Sequence, residues 1–472
     1  MQRFYRPLLL LILLLAWAWR LHGLDAQSLW RDETDSLRFA TRPLAEALAM
    51  FTRPGENGPL YFLLLRPWLM AAGQSEFALR FPSALLGVLA IPLMFVWGRR
   101  WFGRAAGLIA ALLLAANPYH LWYSQEAKMY ALLVVVVMLS LMAFTWAVER
   151  GRWWRWAPWM GFTSACFYIH VLGVFVIPLQ MAWFLLVPAW RRRWPGFVLA
   201  LAVLVLPYIP LLWWQWRLLV DPTFATGHAF APLGRILQTL WQAQTQGIVL
   251  APSPWLLAAP VFLLLAALFL PQPHQTPTPR RLALVWWFLP VVGVFFLSLA
   301  VPIFLDRYLI WVMPALLLLW SAGAVAVARQ DRRVAAVLVA VLIGFQLWNG
   351  WQQGAHTIKS DFRSAGAFVS AHRRPEDLTV FLIPYIRYTY QYYDRSDFAW
   401  VDAPYTNREV DAAALDQRMT DLTGGFPGVW LVESEPEFYD RQGLVRAWLE
   451  AHGHRQEEAE FARVGVRYYR LH

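Results

Sequence analysis

The chain has one cysteine, Cys166, so no intrachain disulfide can form, and any part outside the cytoplasm must fold without one. Charge is scarce. Only 15% of the 472 residues are charged, against about 25% in soluble proteins. Lysine is scarcer still. Acids are nearly missing from the first three-quarters: residues 1–349 hold 12 Asp+Glu against 27 Lys+Arg, a net of +15. Residues 350–472 hold 18 against 14, a net of −4, and the two parts sum to +11. There is no glycine-rich nucleotide-binding motif and no solenoid repeat. What is present is apolar: 59% hydrophobic and 16% aromatic. This composition excludes an ordinary soluble domain.

A membrane helix needs about 20 apolar residues. Eleven candidates follow, at roughly 7–24, 80–98, 105–118, 128–148, 157–170, 171–190, 197–216, 255–271, 282–300, 308–328 and 334–350. The stretch 157–190 can also be read as one helix, which would invert everything after it. Positive charge sets the orientation. With the N-terminus inside, the inner segments hold sixteen arginines, from Arg3 and Arg6 to Arg332 and Arg333. The outer loops after the first hold only Lys128, Arg217, Arg235 and Arg307. The alternation favours a break near Ile169-His170 and an outward C-terminus. The basic excess is thus a topology signal and not a nucleic-acid footprint. A cleaved signal peptide over residues 1–26 is the competing reading, but Leu24-Asp25-Ala26 is a poor cleavage site.

We therefore expect a polytopic α-helical membrane domain over 1–350 and an extracytoplasmic α/β domain over 351–472. The first outer loop, 25–79, is long. Residues 36–52 and 60–72 have the mixed apolar pattern of helices lying along the membrane surface. The 271–281 stretch is Pro-rich and reads as an exposed inner linker. In the tail, 379–383 and 429–432 read as buried strands, and 411–422 and 441–452 as helices.

Acids near hydrocarbon are expensive and tend to be functional. Asp32 and Glu33 follow the first apolar segment directly. A carboxylate there can take a proton from an attacking acceptor, with its neighbour orienting the acceptor or holding a cation. The plainer reading is a helix start, where acids suit the dipole. The run Asn117 to Tyr130 joins a Pro break, aromatics, Glu126 and Lys128 at an outer helix junction. Lys128 suits a phosphate; the alternative is an aromatic belt with a snorkelling lysine. Arg307, in Asp306-Arg307-Tyr308, offers a bidentate fork for phosphate, or else a surface pair with Asp306. His170 is either a packing residue or a ligand. Arg53 and Glu56 lie on a Pro/Gly turn, and Ser360 or Asp361 reads as a helix cap.

These pieces resemble the membrane glycosyltransferases of GT-C fold, which include protein O-mannosyltransferases and lipid A aminoarabinose transferases. The resemblance rests on Asp32-Glu33, the Pro59-Leu60-Tyr61-Phe62 turn, Ser124 to Tyr130, Asp306-Arg307-Tyr308 and Asp361-Phe362-Arg363, in that order along the chain. It implies transfer of a sugar from a polyprenyl-phosphate carrier to a lipid, glycan or protein acceptor at the outer face of the cytoplasmic membrane. Inversion at the anomeric carbon is expected, with Asp32 as the base. Lys128 and Arg307 are the candidates for the donor phosphate, with Arg53 and Arg363 behind them, and Tyr61, Glu126 and Tyr130 are further substrate contacts. Glu56 and His170 resemble positions that hold a metal ion in some relatives, which makes a divalent ion a candidate cofactor. One departure stands out: Asn57 occupies a position where aminoarabinose transferases carry a lysine, and it cannot supply that positive charge. The rival class is a lipid or solute transporter, which should place charges or broken helices at the bilayer midplane in related halves. Neither feature is legible here. A structural subunit of an envelope complex would leave the clustered acids unexplained. The sugar, the acceptor and any role of the tail in recognising it are not encoded in any motif.

Overall fold

The computed structural model describes residues 5–52, 57–209, 216, 220, 228–248, 257–271, 278–408 and 412–472. The chain divides into two units. One comprises residues 1–24 and 39–355; the other comprises 25–38 and 356–472. The division differs from the contiguous one expected, because the segment carrying Asp32 and Glu33 joins the C-terminal unit.

The larger unit is helical. A helix stands at each of the eleven positions read from hydropathy, but the count of eleven spans does not carry over. Among the described residues five helices are long and apolar enough to cross a membrane, or seven if two bent pairs each count once. The others are short. Trp156–Ile169 has 14 residues, roughly 21 Å at 1.5 Å per residue, against a hydrocarbon core of about 30 Å. Tyr130–Arg150 and Met313–Gln330 are apolar all round and almost wholly buried, so they form the centre of the helical packing. Small residues let helices close up. Glu76–Phe102 and Arg104–Ala116 meet where a Cβ on Gly98 would stand 2.7 Å from the Gly107 Cα. Between Trp156–Ile169 and Val176–Leu186 the chain breaks at His170 and passes through a 3₁₀ turn, Val171–Phe175. In the first loop, Arg31–Thr41, Leu44–Ala49 and Pro59–Ala72 are helical. The first begins before the expected position 36, so the acidic pair sits in its first turn and not ahead of it.

The smaller unit holds a five-stranded mixed sheet. The strands are β1 (Leu378–Phe381), β2 (Ala399–Asp402), β3 (Gly428–Glu433), β4 (Gly453–Phe461) and β5 (Val464–Leu471). Their order is β2-β1-β3-β5-β4. β1 runs parallel to β2 and β3, and β5 runs antiparallel to β3 and β4. Central β1 and β3 are buried throughout, as their apolar runs require. Edge strand β4 carries exposed charge at Arg455, Glu458 and Glu460, which discourages edge pairing. Helices Ala412–Thr423 and Leu444–His452 match the expected ones. The core gathers Phe362, Val380, Phe381, Tyr390, Trp430, Leu449, Val466 and Tyr469.

Candidate active site

In the helical unit the candidate residues come together around one break in the chain. Helix Arg104–Ala116 stops at Asn117, and Pro118–Ser124 leaves at 60°. Pro118 has no N–H to continue the ladder. Asn117 caps the new helix, its Oδ1 accepting from His120 N at 2.9 Å. Buried Arg20 serves the helix that ends there. Its guanidinium donates to Leu114 O and Ala115 O, each at 3.3 Å, and lies 3.1 Å from His120 Nδ1. A cation on the last carbonyls of a helix also suits the dipole. Gln125 Nε2 in turn donates to Arg20 O and His22 O, at 3.1 and 2.9 Å. With Ser83 Oγ donating to Lys128 O at 3.2 Å, these bonds anchor the chain from Gln125 to Tyr130.

Lys128 sits on this anchored stretch, only 8% exposed. Its ammonium lies 5.8 Å from the centre of the Phe62 ring. Among the described residues no carboxylate pairs with it. Beside it, Arg307 Nε donates to Tyr130 Oη at 3.0 Å, which fixes the guanidinium. His170 faces both cations. Its Nδ1 accepts from Leu172 N at 3.2 Å, which assigns the proton to Nε2. Nε2 is buried and has no hydrogen-bond partner among the described residues. The His170 ring stands 4.7 Å from Tyr308 and 6.3 Å from Tyr130. Glu126 is fully buried, and Tyr123 adjoins Glu126, Asp306, Arg307 and Tyr130. Arg307 also acts on the carboxylate of its neighbour Asp306.

The Pro59–Ala72 helix closes on this group. Gly58 precedes it at φ +82, and a Cβ there would meet Met129 Cε at 2.9 Å. Asn57 Oδ1 accepts from Val171 N at 3.0 Å, which ties the turn to the His170 break. The residue that departs from the aminoarabinose transferase pattern thus has a structural task. Tyr61 is buried in the first turn, its ring 5.7 Å from that of Phe62. Arg53 and Glu56 lie outside the described residues. Among the described residues no group of three His, Cys, Asp or Glu could hold a metal. The candidate metal pair Glu56 and His170 thus includes a residue outside the described ones, and His170 itself stands near Lys128 and Arg307.

In the smaller unit, Asp32 and Glu33 have different surroundings. Asp32 is partly exposed. Glu33 is fully buried, and its carboxylate receives Lys359 Nζ at 2.9 Å. The backbone around Lys359 is fixed by Gln27, whose Oε1 accepts from Ile358 N and Lys359 N at 3.0 and 3.1 Å. Arg31 stacks on Tyr385, Thr34 Oγ1 meets Thr389 Oγ1 at 2.7 Å, and Leu29 N donates to Tyr393 Oη at 2.6 Å. Arg363 also acts on this segment. Its guanidinium donates to Asp25 O at 2.8 Å and Ala26 O at 3.4 Å, which fastens this segment. Asp361 caps the helix Phe362–His372, accepting from Ser364 N at 3.1 Å, as expected. Sequence reading missed three residues: Arg20, His120 and Lys359. Arg20 alone carried a signal, as a charge inside the first apolar run.

Residues 54–214 match the family model of dolichyl-phosphate-mannose-protein mannosyltransferase. No curated protein matches the sequence. The structure is similar to that of ArnT from Cupriavidus metallidurans bound to undecaprenyl phosphate, with a TM-score of 0.60, 16% identity and 97% of each chain covered. It is also similar to the archaeal oligosaccharyltransferase AglB from Archaeoglobus fulgidus, in complex with an inhibitory peptide and a dolichol-phosphate. There the TM-score is 0.59 at 12% identity, covering 98% of this chain and 74% of that one. These likenesses give the chain the GT-C fold of membrane glycosyltransferases, the fold its sequence resemblance implied.

Proposed function

We propose that this protein is an inverting glycosyltransferase that moves a sugar from a polyprenyl-phosphate carrier to a lipid, glycan or protein acceptor at the outer face of the cytoplasmic membrane. The observation that carries the reading is Lys128: a lysine only 8% exposed, with no carboxylate partner among the described residues. A buried charge without a partner is costly, and an anionic ligand would offset that cost. Arg307 supplies a second cation, and the His170 Nε2–H a neutral donor. Together they suit a phosphate. The ArnT and AglB structures hold an undecaprenyl phosphate and a dolichol-phosphate, which supports a polyprenyl phosphate as the ligand.

In the reaction the acceptor hydroxyl or amine attacks the anomeric carbon. The bond from that carbon to the phosphate oxygen breaks, and the lipid phosphate leaves with its charge held by Lys128 and Arg307. Asp32 takes the acceptor proton. Asp32 is partly exposed, whereas buried Glu33 pairs with Lys359 and acts as a positioning residue. The C-terminal unit is placed outside the cytoplasm on the arginine distribution.

The test is binding of polyprenyl phosphate to purified Lys128→Gln. Loss of one charge-assisted contact, about 1.5–3 kcal/mol, predicts affinity weaker by roughly 10- to 100-fold. The melting temperature should hold, since Gln removes an uncompensated charge. Wild-type affinity in this variant would overturn the phosphate assignment.

A further inference from the structure

A second feature of the helical unit lies away from the site just described. Helices Arg104–Ala116, Met313–Gln330 and Arg332–Ala355 leave a groove of about 540 Å³ between them. Its wall is apolar and includes Ala105, Ile109, Val325, Ala336, Val339 and Ile343. Arg329 and Arg332 line it as well, and both sit at the turn joining the last two helices. Among the described residues neither has an ion pair. The carboxylate between them in sequence, Asp331, is turned to the backbone: its Oδ1 accepts from Arg333 N at 2.7 Å and Val334 N at 3.2 Å. Arg332 and Arg333 also stand at the positive end of their helix, a position that disfavours cations.

We propose that this groove binds an anionic glycerophospholipid of the surrounding membrane, with its phosphate on Arg329 and Arg332 and an acyl chain along the alanine-lined wall. Three observations commit the site to that occupant. The charge is complementary, and the neighbouring carboxylate does not neutralise it. The helix amides are already capped, so the anion meets guanidinium forks, which suit phosphate. The length also fits. From Arg332 to Ile343 the helix rises roughly 16 Å, about half of a 30 Å hydrocarbon core, so the groove runs from headgroup level to the bilayer centre. Basic pockets between membrane helices recognise anionic headgroups in this way. The arginines also serve the topology signal, but topology requires neither a groove nor unpaired side chains. The inference stands whether or not the protein transfers a sugar.

The test is the melting temperature of the purified full chain in detergent, titrated with phosphatidylglycerol, with phosphatidylcholine of the same acyl chains, or with inorganic phosphate. Phosphatidylglycerol alone should raise it. R329Q/R332Q should abolish the rise, whereas R191Q/R192Q, which removes equal charge elsewhere, should keep it. Ala336→Leu narrows the groove without touching charge, and should weaken the rise even if the arginine variant folds poorly. An equal rise with phosphatidylcholine, a rise with free phosphate alone, or a full rise in R329Q/R332Q would overturn the proposal. So would a dimer that Ala336→Leu dissociates and phosphatidylglycerol leaves unaffected, since a second copy would then fill the groove.

Discussion

Lys359 and Lys128 are both nearly closed off from solvent, and their surroundings make opposite demands. Lys359 is paired with buried Glu33. Removing one partner strands a charge, so Lys359→Met should lose about 3–5 kcal/mol of stability. Glu33→Gln/Lys359→Met should recover most of it, as read by thermal melts of the single and double variants. If Lys359→Met melts like wild type, the pair is not structural. A second residue-scale test uses Asp394. Burial pushes its carboxyl up, but the Ser396 hydroxyl at 2.5 Å and Arg373 at 2.9 Å outweigh burial, and the net shift is below the ordinary 3.8. A depressed carboxylate adds stability above its unfolded value that is lost as pH falls through the folded one. The C-terminal unit should therefore weaken below about pH 4, and Asp394→Asn should lower its stability at neutral pH while flattening that acid limb. An unchanged acid limb would remove Asp394 from the account. Lys128 and Arg307 were legible as candidates because charge is rare in this chain. The Glu33–Lys359 pair was not, because 326 residues separate the partners and local patterning carries no trace of the pairing.

At the scale of elements, the break at Asn117-Pro118 and the turn at Gly58 deliver Lys128 to its place. Gly58→Ala combines a left-handed backbone, about 1–2 kcal/mol for an L-residue, with a contact against Met129. It should weaken polyprenyl-phosphate affinity while leaving Asp32 untouched; unchanged affinity would show that the turn does not position Lys128. Hydropathy located the helices well, because each buries an apolar surface of sufficient length. It overcounted spans, because it cannot see where a helix bends or stops short. Val171–Leu186 and Pro188–Val205, for example, meet at 108°. The strands at 378–381 and 428–433 were legible for the converse reason: short, β-branched, fully buried runs leave little choice. The cap at Asp361 followed from its residue type and place alone.

For the whole molecule, the segment 25–38 is far in sequence from the unit it joins, and no composition shift marks it. Gln27, Leu29, Thr34 and Arg363 fasten it through bonds to backbone and hydroxyl groups, which leave no signature in hydropathy. The sidedness of the C-terminal unit rests on arginine counts, and the scarcity of cysteine makes it testable. In a Cys166→Ser background, Asp397→Cys should react with an impermeant thiol reagent applied to intact cells, and Arg192→Cys should react only after lysis. The reverse pattern would invert the topology.

The most direct test of sugar transfer is mass spectrometry of envelope lipids, glycans and proteins from cells lacking this protein, complemented with wild type or with Asp32→Asn. Deletion should give a sugar-sized mass loss, restored by wild type and not by Asp32→Asn. Restoration by Asp32→Asn would remove Asp32 as the base. No change in any glycan on deletion would contradict sugar transfer itself and favour a transporter.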